Sequence, residues 1–294
     1  MRERRPSGRD GDYEEHSVAD RTIVLEALRE IGRSADGSVQ IGEAALLLAA
    51  LDRPGEPLEP YRAQLAGIAD EARAATARTH SVDMQVAALT ELLAVRWRLR
   101  GDAETYDDLR NANLMHVLER RCGLPVAIGI LWLHAGRAYG ADITGLAFPS
   151  HFLVRLSARG QRVILDVFRG GRPLGAEDLR RLIKDAQGPD REIGPRDYDA
   201  VSDRDVLIRL QNNIKLRALA ADDLPRALGV LQSMTLIAPD RGDLWWETAL
   251  LQSRLGNLNT AIATLEGFLA GPASAAAGRG DVEELLRRLR NTVN

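Results

Sequence analysis

From Ser17 onward, apolar residues recur at the three- and four-residue spacing of helices that bury one face. Val24, Leu25, Leu28 and Ile31 form the first such stripe, with Ser17 in position to cap it. A second run opens at Ser38 and carries Ile41, Ala44, Ala45, Leu48 and Leu51 before RPGEP stops it at Arg53. Leu58 to Arg78 places Leu65, Ile68 and Ala72 on one face. Ser81 to Leu99 repeats the pattern with Val82, Val86, Leu89, Leu92, Leu93 and Trp97. Residues 17–100 therefore read as four helices. Residues 1–16 are charged, turn-prone and without period, the pattern of a disordered tail.

The texture changes over residues 101–186. DDLRNANLMHVLERRCG predicts a helix ending at the Gly123 break, with Asn111 and Asn113 as capping residues. Pro125 then opens VAIGILWLHAGRAYG, since proline suits a first helical turn. Apolar residues surround that segment almost completely, so it is expected as a buried central helix closed by Gly140. Three strands follow: Ile143–Phe148, His151–Leu156 and Arg162–Phe168, the last two joined by the hairpin loop SARGQ. GGRPLG turns the chain into a short helix over Ala176–Ala186. Residues 187–204, rich in Gly, Pro and Asp, read as a linker.

Residues 205–294 are helical and contain a repeat. Ala227 and Ala261 lie 34 residues apart, as do Leu231 and Leu265. Pro239 ends one unit and Pro272 nearly matches it. A 34-residue helix–turn–helix period with small residues at close contacts is the tetratricopeptide pattern. The first unit is degenerate, because Lys215 and Asp222 stand where the second has Ala249 and Gly256. An unrelated helical bundle is the alternative. Ala261–Leu269 and Asp281–Asn291 are the helices expected to cap the array.

Composition narrows the function classes. The chain has 294 residues, a formal net charge of −3 and only 4% aromatic residues. Neither a basic footprint nor a supply of stacking rings points to nucleic acid. No apolar run suits a membrane helix, and the charged N-terminus lacks the apolar core of a secretory signal, so a cytoplasmic location is expected. Cys122 is the single cysteine, which excludes an internal disulfide and a cysteine-based zinc site. His16, His80, His116 and His134 form no helical metal motif with carboxylates. No metal and no cofactor are expected.

The chemistry concentrates between Asn111 and Gly171. A hairpin turning around SARGQ sets His151 roughly opposite Asp166, with Cβ atoms about 5 Å apart if both share a face. A polar pair that only fixes a strand edge is the plainer reading. Glu119, Arg120 and Arg121 are either a solvated helix face or ion-pair partners of the core strands.

The ordered motifs ERRCGLP, PSHF and DVFRGG resemble the transglutaminase-like core, and more closely the bacterial SirB-type family, in which such a core precedes tetratricopeptide repeats. The resemblance implies an α+β protein: N-terminal helices, a papain/transglutaminase-like core with a small antiparallel sheet, and a C-terminal tetratricopeptide-like helical array. It implies a catalytic site in which His151 pairs with a thiolate and Asp166 orients the imidazole. The position at which transglutaminases carry cysteine falls near Pro125 or Val126, and neither can attack a carbonyl. Cys122 is the rival nucleophile, but it precedes the buried helix and faces the carbonyl end of the helix before it. Ser150 replaces the family's glycine before histidine. DVF replaces Asp-Pro-Phe and removes a rigid turn after Asp166. The reading is a transglutaminase-like pseudoenzyme that binds a protein or peptide through its repeats. The alternatives are a hydrolase or amide-forming acyltransferase using His151 and Asp166 with Cys122, water or an amine, and a plain scaffold.

Overall fold

The computed structural model describes residues 10–77, 79, 81–149, 151–271 and 278–293, with side chains described from residue 21 to residue 292 within those ranges. Residues 1–9, His80, Ser150 and Pro272, and the side chain of His16, lie outside what is described.

Four helices do open the fold: α1 (Asp10–Arg33), α2 (Ile41–Ala50), α3 (Glu59–Thr76) and α4 (Val82–Thr90). Helix α1 starts upstream of the expected cap, so Ser17 is an interior residue and residues 10–16 are helical rather than tail. Ser38 ends a short 3₁₀ turn, and α2 begins later at Ile41. Helix α2 is buried on nearly every residue, because α1, α3 and the core enclose it. Ser81 caps α4 as expected, its side chain accepting the Met84 N–H at 3.2 Å. The helix does not continue to Leu99; after Thr90 it widens into a π-helix over Glu91–Arg96.

The core is built around one helix. Helix α5 (Leu114–Arg120) ends with Arg121 in a left-handed conformation, after which β2 (Cys122–Gly123) pairs in parallel with β1 (Arg100–Gly101). Helix α6 (Pro125–Ala138) follows at once, with Pro125 at its first turn. Eleven of its 14 residues are buried, so helices and sheet cover it on all sides. An antiparallel sheet of β3 (Asp142–Leu146), β4 (Val154–Ala158), β5 (Gln161–Asp166), β6 (Arg172–Leu174) and β7 (Ala200–Val201) runs in the order β6-β5-β4-β3-β7. Helix α7 (Ala176–Gln187) follows β6. The sequence pattern missed β6 and β7, which are too short to show alternation. Residues 187–204 are thus no plain linker, since β7 completes the sheet edge beside β3.

The C-terminal helices are α8 (Asp203–Ala220), α9 (Leu224–Ile237), α10 (Gly242–Arg254), α11 (Leu258–Ala270) and α12 (Arg279–Val293). Helices α9 and α11 start 34 residues apart, and Ala227 and Ala261 are both fully buried. The degenerate positions keep their geometry. Asp222 and Gly256 both turn the chain with positive φ, 56° and 80°, and aspartate tolerates that region better than most residues. Lys215 is buried where Ala249 stands in the second unit, and its ammonium group reaches Glu247 on α10. One apolar core runs from Val24 on α1 to Leu251 on α10, so α8 and α9 share it with the N-terminal helices. A second cluster joins α10, α11 and α12.

Two glycine substitutions separate packing from helix propensity. At Gly129 in α6 a Cβ would meet the buried Phe152 ring at 2.2 Å, whereas at Gly267 in α11 nothing lies within 4 Å. Alanine gains up to about 1 kcal/mol of helix propensity, but overpacking a core costs about 1–3 kcal/mol or more. Gly129→Ala should therefore lower the urea-unfolding free energy by roughly 1–2 kcal/mol, and Gly267→Ala should raise it by about 0.5–1 kcal/mol.

Candidate active site

The sheet and α6 together place one histidine against one buried carboxylate. Strand β5 ends at Asp166, whose side chain caps the 3₁₀ turn Val167–Arg169 by accepting the Arg169 N–H at 3.2 Å. The turn that proline would have stiffened is held by the carboxylate itself. Gly170 and Gly171 then carry the chain to β6 with positive φ. At Gly171 a Cβ would strike Trp132 of α6 at 2.1 Å, so only glycine lets the backbone lie against that indole.

His151 does not open a strand. It precedes β4 by three residues, and the register pairs Val154 with Leu165, so Leu153 rather than His151 stands opposite Asp166. The pair nonetheless meets: His151 Nε2 lies 3.0 Å from Asp166 Oδ1. Asp166 is completely buried, and the His151 side chain keeps 20% exposure. Burial pushes the Asp166 carboxyl up, but the His151 hydrogen bond and charge and the Arg169 N–H outweigh it, leaving it below the usual carboxylate value. An ionised carboxylate only accepts hydrogen bonds, so Nε2 carries the proton and donates it. In the neutral imidazole, Nδ1 is then the free basic atom. Asp166 Oδ2 has no hydrogen-bond partner among the described residues, with Arg169 Nε 3.8 Å away.

A line of rings leads away from this pair. The Phe168 ring meets His151 edge-on with centroids 6.3 Å apart, and Tyr106 meets Phe168 at 6.1 Å. The Arg217 guanidinium of α8 lies 5.6 Å from the Tyr106 ring centroid, while Nη2 donates to the Tyr106 carbonyl and to Asp107. Phe168 stood in the quoted DVFRGG motif. Tyr106 and Arg217 gave no local signal, because their contact joins residues 111 positions apart.

The first turn of α6 holds Pro125, Val126 and Ala127, all buried. Cys122 is buried, and its Sγ lies 3.9 Å from Asp102 Oδ2. Among the described residues no hydrogen bond joins it to His151 or Asp166. The Asp102 carboxyl is held well below its usual range by hydrogen bonds from Thr105, despite burial, with Arg120 adding a further one. A carboxylate is a poor neighbour for an attacking thiolate.

The remaining candidates hold the frame together. Glu119 accepts from Arg53 at 2.7 Å and from Tyr61 at 2.5 Å, tying α5 to α3 and the loop before it rather than to the strands. His116 pairs with the same carboxylate at 3.1 Å. Arg120 binds Asp102 and Asn111. Asn113 caps α5 and donates to the Ala49 carbonyl, while Asn111 reaches Thr105. His134 Nε2 donates to the Leu65 carbonyl at 2.9 Å. Among the described residues no cluster of three His, Cys, Asp or Glu could hold a metal, and no helix is long and apolar enough to cross a membrane.

A family model described as the transglutaminase-like superfamily matches residues 59–212, which takes in α3, the whole sheet, His151 and Asp166. The chain belongs to that superfamily. A tetratricopeptide repeat model matches residues 214–290, so the junction between the two falls within α8. A UPF0162 protein of Xylella fastidiosa is 26% identical over 250 residues, covering 84% of this chain and 89% of its own. A UPF0162 protein of Vibrio cholerae is 29% identical over 204 residues, covering 69% and 75%. A crystal structure of menin aligns with 85% of this chain and 66% of its own at 13% identity, with a TM-score of 0.40.

The depressed Asp166 carboxyl makes a stability prediction with a definite sign. A carboxylate whose native value is lowered stabilises the fold above the unfolded value, near 3.9, and that contribution disappears as pH falls through the native one. Asp166→Asn should therefore cost about 1.5–3 kcal/mol at pH 7, the usual scale for hydrogen bonds to a buried charge. The gap between variant and parent should shrink as the pH is lowered below about 4. Urea melts across that range measure both.

Proposed function

We propose that this transglutaminase-like protein binds a peptide or protein segment through its first repeat helices and performs no thiol chemistry on it. The observation that carries this reading is a histidine–aspartate pair with no hydrogen bond to a thiol among the described residues, in a core whose central helix α6 opens on the buried apolar residues Pro125, Val126 and Ala127. Acyl-enzyme formation needs a nucleophile within hydrogen-bond reach of its base, and Cys122 is hydrogen-bonded elsewhere. The binding part rests on α8. Leu216 and Leu219 are exposed there at 61% and 36%, beside Arg217, which continues the ring line to His151. A segment seated on those leucines has a path along Tyr106 and Phe168 to the imidazole. Tetratricopeptide helices commonly present such surfaces to extended partners.

The second reading, a hydrolase or amide-forming acyltransferase, is favoured by the pair itself. Nδ1 of His151 is free to take a proton from water or an amine, and general-base catalysis of that kind contributes about 10²–10⁴-fold. It needs no thiol, so both readings leave Cys122 dispensable.

The test combines an amine-incorporation assay on glutamine peptides with binding to an immobilised peptide array. The parent chain should incorporate no amine, and iodoacetamide should label buried Cys122 slowly near pH 7. Leu216→Glu with Leu219→Glu should weaken peptide capture at least about tenfold, the loss of roughly 1.4 kcal/mol, while Cys122→Ala changes nothing. Amine incorporation that vanishes in Cys122→Ala would replace this reading with a thiol enzyme. Turnover that survives Cys122→Ala and vanishes in His151→Ala would establish the second reading.

A further inference from the structure

Arg121, the second arginine of the ERR motif, plays no part in the pair of His151 and Asp166. It lines an open pocket of about 480 Å³ with Glu71, Arg96, Trp97 and Arg98. Its guanidinium stacks over the Trp97 indole, 4.7 Å from the ring centroid, and Nη1 is buried with no hydrogen-bond partner among the described residues. A buried guanidinium N–H left unpaired is uncommon and calls for an explanation. Desolvation works against the charge of Arg121, and among the described residues the pocket's carboxylate, Glu71, is paired with Arg96 instead. Arg96 is paired with Glu71 at 2.7 Å, whereas Arg98 is exposed and has no ion-pair partner among the described residues.

The backbone around this pocket is unusual in three ways at once. The chain enters Trp97 through the π-helix Glu91–Arg96, with the Trp97 N–H bonded five residues back to Leu92. Arg98 and Arg121 both have positive φ, 54° and 59°, without being glycine, asparagine or aspartate. The two segments are fastened by β1 against β2 and by the Arg100 N–H to the Arg121 carbonyl at 3.0 Å. π-helices and strained non-glycine residues concentrate at ligand sites, where the surrounding structure holds them in place. Here both devices turn arginine side chains toward one concavity.

We infer that this pocket is a binding site for a small-molecule dianionic oxyanion of the phosphate type, gripped by Arg98 and by the Trp97-stacked edge of Arg121. Three guanidinium groups and one carboxylate leave a formal surplus of two positive charges, which a phosphate monoester dianion neutralises. The Trp97 ring restrains the guanidinium, and a planar guanidinium suits paired hydrogen bonds to phosphate oxygens. The pocket volume lies in the range usual for small-molecule sites. The site is separate in its residues from His151 and Asp166 and holds whether or not the chain catalyses a reaction.

The test is calorimetric titration of the full chain at constant ionic strength with three probes: inorganic phosphate, methyl phosphate and dimethyl phosphate. The first two carry the dianion and the third is a monoanion. Saturable binding of both dianions below about 10 mM is expected, an affinity of modest but specific size, with dimethyl phosphate at least tenfold weaker. Methyl phosphate binding more tightly than inorganic phosphate would mark an esterified ligand as the occupant, and the reverse would mark the free ion. Arg98→Asn keeps a residue that tolerates positive φ and should cost about tenfold. Arg121→Lys keeps the charge but loses the planar edge, and should cost about as much. Arg180→Gln on α7, remote in sequence and exposed, should bind like the parent. No saturation, equal affinity for dimethyl phosphate, or unchanged affinity in both Arg98→Asn and Arg121→Lys would overturn the inference. Matching thermal melts of parent and Arg98→Asn keep the comparison free of folding defects.

Discussion

The fully buried Asp166 carboxylate is the constraint on which the centre of this molecule is arranged. It ends β5, caps the turn that follows, and holds His151 at 3.0 Å. A buried charge is tolerated only when it is paired and hydrogen-bonded, so the turn and the imidazole are coupled through one group. The turn in turn sets Gly171 against Trp132, which docks the sheet on α6. Loss of the carboxylate would therefore disturb the helix–sheet contact as well as the pair.

Around that centre, α8 makes the two family regions one body. Its N-terminus is clamped by Asp203 to Arg137 of α6, and Arg204 binds the carbonyls of Ile31 and Ser34 at the end of α1. Arg209 reaches the Phe148 carbonyl and lies over the Phe152 ring. Further along, Arg217 holds the loop that carries Tyr106. The same helix thus serves as a wall of the transglutaminase-like core and as the first helix of the repeats.

Much of this was legible in the residues. The first four helices announced themselves through apolar spacing and α6 through its almost complete apolar surround, and the 34-residue offset between Ala227 and Ala261 marked two positions that are both fully buried. The His151–Asp166 contact was also foreseen, though by a register that the hairpin does not adopt. The two meet because the segment before β4 carries His151 to the end of β5, where Asp166 stands, and no periodicity encodes that segment. Strands β6 and β7 escaped notice because two or three residues carry no pattern, and their pairing comes from distant partners. The Arg121–Trp97 stack was invisible for the same reason: it depends on a π-helix and two left-handed arginines, conformations that tertiary packing imposes.

An ionised, buried Asp166 fixes the His151 ring through Nε2. Long-range proton–nitrogen correlation spectra of the histidine ring test it most directly, with Asp166→Asn as reference. The neutral ring of His151 should show a protonated Nε2 and an unprotonated Nδ1, and the variant should lose that single-tautomer signature. A proton on Nδ1 in the neutral ring, or a tautomer unchanged by Asp166→Asn, would contradict the claim.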